Sequence, residues 1–431
     1  MKSVVASMVA LAFAAPLAHA QTPVPAPAPA PALATAATVD PVATLVGQLE
    51  LEKYKATIKS LTLFGDRRQG TQRNRDALDW IEAQLKSYGC TNTERLQYQY
   101  TELAPDAPRP KRAPGIASGG AGGPPGQGGS TLFGNRIKTG VNTDPFKQPG
   151  EKLRALNAEQ TPVGTSLREN VYCTKVGSKH PDEMYIVSAH MDGIGFGEAA
   201  NDDGSGTALV MELARIFSAP GVETDRSIRF ILWNNEETGL NGAAAYVAQR
   251  QHLQGKESPK GSGKYPEPKW LGMIQHDMML FDHGMPFQKI DGYGKPVVDE
   301  HGQPVFVAPP EQRLEADVNI EYQSQSKQAD GSARLAWHFR SANDKYATRY
   351  PAAVGFHMTN TDSTPFMDLV PSISLRENER GQQIGAGWDP HWHQPTDLYK
   401  NYSDADFMLG LNAAQTTLSG VAQLAGVRVK Q

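Results

Sequence analysis

The chain has 431 residues, 39% hydrophobic and 20% charged, with a formal net charge of −4 at pH 7. That balance provides no basic surface for nucleic acid and no polybasic stretch for an anionic membrane. The length exceeds what one hydrophobic core usually serves, so segments outside the core are expected. Two cysteines are too few for a disulfide-built scaffold.

Residues 1–20 read as a secretory signal peptide, with Lys2 as the charged n-region, an apolar run over 4–15 and Ala18-His19-Ala20 as the cleavage site. The apolar run is too short to span a bilayer, and no later segment is long enough, so no membrane insertion is expected. No cysteine at the cleavage point offers a lipid anchor. The mature protein is therefore expected to be exported, periplasmic or secreted. Residues 21–40 alternate proline with small apolar residues and read as a semi-rigid linker. Residues 41–431 read as one domain.

Hydrophobic patterning places the elements of that domain. Leu78, Ile81 and Leu85, with Trp80, form the stripe of an ordinary core-facing helix. Residues 90–100 and 170–176 read as strands, and they contain Cys90 and Cys173. Outside the cytoplasm a disulfide between these two is favoured over a pair of buried thiols, although spacing does not supply the geometry. Residues 103–168 are rich in proline and glycine, and 115–129 is nearly low-complexity. A flexible insertion is expected there, because so few apolar groups cannot order a segment. Residues 185–188 read as a buried strand ending at His190, and 207–217 as a helix carrying Leu209, Val210, Leu213, Ile216 and Phe217. Residues 227–233 and 270–276 read as further strands. An elaboration is expected near 255–345, with turns at Asp291-Gly292, Tyr293-Gly294 and His301-Gly302, a strand over 318–322 and a helix over 341–349. A closing helix follows, capped by Ser403 with Asp406 three residues on. No internal repeat is apparent.

Chemistry concentrates in three blocks: Ala189-His190-Met191-Asp192, Asn201-Asp202-Asp203-Gly204-Ser205-Gly206 and Asn234-Asn235-Glu236-Glu237-Thr238-Gly239. They follow hydrophobic segments, where an α/β sheet places its active site. Imidazole with hard oxygen donors suits zinc, with manganese or cobalt as alternatives. Five candidate ligands assemble: His190, Asp202, Glu237, Asp277 and His393. Two zinc ions about 3.5–4 Å apart need one shared carboxylate. Asp202, in a glycine-bounded loop before a helix, suits the bridge; His190 with Asp277 completes one ion and Glu237 with His393 the other. Glu236 is left as a general base, and Asp192 is placed to accept the second N–H of His190. Blander readings stand beside these. Asp202 and Asp203 suit a turn and a helix cap equally well, Asp282 competes with Asp277, and His391 with His393.

These blocks resemble, in order and spacing, those of the secreted co-catalytic zinc aminopeptidases, the family of bacterial leucyl aminopeptidase, aminopeptidase S and the glutamate carboxypeptidase II branch. The later single Asp277 and a final His393 followed by Thr396-Asp397 also match, and this favours His393 over His391. Upstream, Arg67-Arg68-Gln69-Gly70-Thr71 is similar to the Arg-x-x-Gly-Thr block before the family's first long helix. The resemblance covers about 45–102 and 169–425. It implies a three-layer α/β sandwich with a mixed, mainly parallel central sheet, and a cis peptide between Asp202 and Asp203. Two departures stand out. Trp392 occupies the place of a tyrosine that precedes the last histidine in several relatives, and Thr361-Asp362-Ser363 replaces Ser-Asp-His, leaving Thr361 or Asp362 as candidate braces for His393.

The function so implied is a secreted metallo-aminopeptidase that removes N-terminal residues from peptides with two Zn²⁺ per chain. A zinc carboxypeptidase or amino-acid deacylase on the same metal core is the alternative; a non-catalytic binding ectodomain should have lost ligands or base, and none is lost. Around the blocks the carboxylates Glu236, Asp277, Glu198 and Asp362 outnumber cations, Arg376 and Arg380 being the nearest. That favours an α-ammonium over a terminal carboxylate, which calls for arginine.

Overall fold

The computed structural model describes residues 39–90, 92–104, 107, 141–148, 150–284, 287–307, 309, 311–313, 316–358, 360–377 and 389–430. The expected signal peptide, nearly all of the linker, the 115–129 stretch and Arg380 lie outside them.

In chain order the elements begin with α1 (Pro41–Val46), α2 (Leu51–Leu61), α3 (Gln72–Ser87), β1 (Thr93–Glu102), α4 (Glu151–Leu156), β2 (Gly164–Lys175) and β3 (His180–His190). Then come α5 (Gly204–Phe217), β4 (Val222–Glu223), β5 (Arg226–Trp233), α6 (Asn241–Arg250), β6 (Lys269–His276), β7 (Phe287–Gln288) and β8 (Phe306–Val307). The chain closes with β9 (Val318–Glu321), α7 (Ala329–Tyr346), β10 (Ala352–Gly355), β11 (Ser372–Arg376), α8 (Asp404–Ala425) and β12 (Arg428–Val429).

Eight strands form the central sheet in the order β1-β2-β5-β3-β6-β11-β9-β10. The middle pairs, β5 with β3, β3 with β6 and β6 with β11, are parallel, as is β9 with β10; the remaining three are antiparallel. Side chains alternate between two packed faces, as the two-residue period of a strand requires. Val187, Ala189, Phe230 and Leu232 join the core under α2, α3, α5, α7 and α8. Met184, Ile186, Ile231 and Trp233 face the other way, against Tyr246 of α6, Trp270 and Phe366. Both faces are buried, so these strands are nearly continuous in apolar residues rather than alternating. This is the expected mixed, mainly parallel sheet between helical layers.

Parallel pairing brings strand ends to one edge. His190 stands opposite Trp233, Ala189 opposite His276, and Leu375 opposite His276. The residues that leave β3, β5, β6 and β11 therefore meet above the same edge of the sheet. Helix α5 is buried on all sides except at Arg215 and starts at Asp203, whose carboxylate caps the Gly206 N–H. Helix α8 starts in a reciprocal capping box between Ser403 and Asp406.

Several segments differ from expectation. The tract after 140 contains a short 3₁₀ turn at Pro145–Lys147, helix α4 and the first half of β2, which pairs with β1 along its whole length. Cross-strand pairing, invisible in local composition, orders it. Helix α7 starts at Ala329, well before 341, and buries Leu335, Ala336, Phe339 and Ala342. Within the expected elaboration, β6 and β9 belong to the central sheet. The true excursion runs between β6 and β9, and it holds an eight-residue repeat. Ile290-Asp291-Gly292-Tyr293-Gly294-Lys295-Pro296-Val297 is followed by Val298-Asp299-Glu300-His301-Gly302-Gln303-Pro304-Val305. Asp291 accepts from the N–H groups of Tyr293 and Lys295, and Asp299 from those of His301 and Gln303. Cys90 and Cys173 form a disulfide between the approach to β1 and strand β2.

Candidate metal centre

His190 ends β3, and its ring is fixed at both nitrogens. Nδ1 lies 2.9 Å from the Asp192 carbonyl oxygen, while Nε2 lies 3.2 Å from Asp202 Oδ1 and 3.7 Å from Asp277 Oδ1. His393 Nε2 lies 3.1 Å from Asp202 Oδ2 and 2.9 Å from Glu237 Oε2. Two donors each about 2.0–2.1 Å from one tetrahedral zinc ion stand about 3.3 Å apart. The observed separations bracket that spacing, and the two oxygens of Asp202 each face a different histidine. His190, Asp202 and Glu237 also bring ligand atoms within 4.8 Å of one another, as do His190, Glu236 and Asp277. Glu236 thus sits at the same cleft as the five expected ligands.

Burial makes this concentration of charge costly without cations. It drives the Glu236 carboxyl well above the usual range, where the pull of His190 is opposed by Glu237, Asp362 and Asp277. Glu237 is pushed up to about 7 by burial against the pull of His393. Burial disfavours charge on His393, yet Glu237 and Asp202 carry it up to about 10. Glu237 Oε1 is buried with no hydrogen-bond partner among the described residues. Clustered carboxylates, imidazoles paired to them and an orphaned oxygen fit a centre of divalent cations.

A scaffold of main-chain hydrogen bonds holds the ligand blocks. Asp203 is a helix cap and more: it accepts from the N–H groups of His190 (3.2 Å), Gly206 (2.8 Å) and Met278 (3.2 Å), tying the first two blocks to the turn after β6. The Asp202–Asp203 peptide is cis. Asp397 accepts from the N–H groups of Asn201 (2.9 Å) and Asp202 (3.1 Å). Arg67, fully buried, donates to the carbonyls of Met191 (2.8 Å), Glu198 (2.9 Å) and Ala199 (2.8 Å), stapling the loop between the first two blocks. The sequence carried signals for these residues in its Thr-Asp and Arg-x-x-Gly-Thr blocks, but what they hold is set by tertiary contact. Arg376, at the end of β11, pairs with Asp277.

Other expectations resolve differently. The acceptor for the second His190 nitrogen is the Asp192 main-chain carbonyl; the Asp192 carboxylate instead takes the Glu236 N–H at 3.1 Å, because the chain turns immediately after β3. His391 turns away to Thr396, and Asp282 pairs with Arg313. Glu198 takes the Tyr399 N–H at 2.9 Å through one carboxylate oxygen. Neither Thr361 nor Asp362 braces His393, whose Nδ1 has no partner among the described residues. Trp392 stacks on the His393 ring at 3.9 Å between centroids.

Residues 170–301 match the sequence model of Peptidase family M28. The chain is similar to aminopeptidase YwaD of Bacillus subtilis, 36% identical over 131 residues, which is 30% of this chain and 26% of that protein. It is also similar to carboxypeptidase Q of Xenopus laevis, 38% identical over 77 residues, 18% of this chain and 16% of that protein. The matched stretches therefore span about a quarter of the first relative and about a sixth of the second. Among solved structures, BSAP, a zinc aminopeptidase from Bacillus subtilis, superposes with a TM-score of 0.54 at 15% identity, covering 89% of this chain and 97% of that one. Residues 170–301 thus resemble Peptidase family M28, and the chain shares the fold of a solved zinc aminopeptidase.

Proposed function

We propose that the protein is an exported metallo-aminopeptidase that binds two zinc ions and uses Glu236 as general base. The observation that carries this reading is the division of Asp202, one oxygen toward His190 and the other toward His393. His190, Asp202 and Asp277 would hold one ion, and His393, Asp202 and Glu237 the other. Zinc, when bound, supplies Lewis acidity toward the scissile carbonyl and lowers the pKa of water. Glu236 takes a proton from the attacking water and returns it to the leaving amine; its main chain is anchored by Asp192. The family match and the name of YwaD support a peptidase acting at an amino terminus. The Cys90–Cys173 disulfide supports export, since disulfides persist in oxidising compartments. Among the described residues no helix is long and apolar enough to cross a membrane.

A carboxypeptidase would need an available guanidinium for the substrate's carboxylate. Arg376 is 1% exposed and pairs with Asp277 through Nη2, while its Nε and Nη1 have no hydrogen-bond partner among the described residues. Cleavage of a free peptide, its N-acetylated form and its C-amidated form separates the readings. Acetylation is expected to remove nearly all cleavage and amidation to change little; the reverse would replace the aminopeptidase reading with the carboxypeptidase one.

A further inference from the structure

The two histidines of the candidate centre are held in different ways. His190 has the usual arrangement, one nitrogen facing the centre and the other bonded to a carbonyl, which fixes ring orientation and tautomer. His393 lacks it: Nδ1 has no hydrogen-bond partner among the described residues. Its backbone is in the left-handed region, φ 55°, a conformation a non-glycine residue keeps only when its surroundings impose it. What imposes it comes from the ordered limb that leads into β2. The Asn142 N–H donates to the His393 carbonyl at 3.0 Å. The Asn142 side chain donates to the carbonyls of Gly195 at 3.3 Å and Asp144 at 2.9 Å. Gly195 is itself pressed on His393, for a Cβ there would stand 2.3 Å from the His393 oxygen.

The pattern recurs one step along. Asn157, fully buried, donates to the Gly197 carbonyl at 2.9 Å and accepts from the Asp66 N–H at 3.1 Å. Gly197 lies against the same histidine loop, where a Cβ would stand 2.7 Å from the Gln394 oxygen and 2.9 Å from that of Asp397. Two asparagines of one limb thus each hold a glycine carbonyl, and each glycine seats the loop that presents His393.

Resting on the two-zinc reading, we propose that Asn142 and Asn157 are positioning residues for His393, bracing it through the main chain in place of the missing ring hydrogen bond. The limb around 141–157 is then part of the metal centre rather than the end of an insertion. The brace bonds the His393 carbonyl directly and reaches the His190 side only through Gly195 and Gly197 of the following loop, so its loss should fall chiefly on the zinc equivalent that His393 would hold.

Zinc titration of the metal-stripped full chain against a chromophoric chelator tests this without any peptide. Asn142→Asp keeps size and buried shape but sets an acceptor against the Gly195 carbonyl; Asn142→Ala removes the side-chain bonds and keeps the main-chain donor. Partners of metal-binding histidines typically contribute about 10–100-fold in affinity. Both variants are expected to weaken one equivalent by about tenfold or more while the other stays within about twofold of the parent. Parent-like affinity at both equivalents in Asn142→Asp overturns the proposal, as does an equal loss at both. A parent chain that binds no zinc defeats the metallopeptidase reading itself, an outcome distinct from two intact equivalents that ignore Asn142.

Discussion

Glu236 and Glu237 are adjacent in the chain, and the different roles proposed for them rest on what they face. Glu237 Oε2 points at His393 and groups with His190 and Asp202, whereas Glu236 groups with His190 and Asp277. Exchanging Glu236 for glutamine keeps size and removes basicity, and a general base typically contributes about 10²–10⁴-fold. Glu236→Gln is therefore expected to lose at least about 10²-fold in kcat while keeping its zinc, as initial rates and elemental analysis would reveal. Near-normal turnover with full metal would remove Glu236 from the base role. That these side chains gather at one place was legible in the sequence because they fall in short blocks at strand ends. Their exact partners were not. Whether the carbonyl or the carboxylate of Asp192 meets His190 depends on how the chain turns after β3, and the left-handed backbone at His393 is not announced by the sequence.

At the scale of elements, the strands and helices that carry the blocks were legible from periodicity. The buried strands β3, β5 and β6 are apolar runs that end at ligand blocks, and α5 follows from its helical spacing. Less legible were elements ordered by distant partners: the first half of β2, which depends on β1, and the asparagine limb, which depends on Gly195 and Gly197. The repeat after β6 is faint in the sequence because only its turn-forming aspartate, glycine and proline and the closing valine recur, while the intervening positions differ. Arg67 joins several of these levels, since one guanidinium holds the loop between β3 and α5. Arg67→Met would leave the Met191 and Glu198 carbonyls without donors, at about 1–3 kcal/mol each, while Ala199 keeps the Gly204 N–H. A loss on the order of 3 kcal/mol or more in urea unfolding is expected, together with weaker zinc binding. A change under about 1 kcal/mol would show that the loop holds its shape without it.

For the molecule as a whole, one disulfide closes a long excursion of the chain. Cys90 and Cys173 are 83 residues apart in sequence, and loop-closure entropy for such a length corresponds to about 4.5 kcal/mol as an upper estimate. Cys90→Ala with Cys173→Ala is expected to lower unfolding stability by about 2–4 kcal/mol while zinc binding survives, because the bridge lies at the start of β1 and away from the strand ends that carry the site. Loss of zinc in a still-folded double variant would contradict that separation.

The central claim is that this sheet edge gathers two metal ions around a shared Asp202. The most direct test is zinc bound per chain at saturation, measured by elemental analysis in the parent and in Asp202→Ala. Two equivalents in the parent, and at most a weakly held remainder in the variant, are the result the shared carboxylate requires. A parent that saturates at one equivalent, or a variant that keeps two, would contradict it.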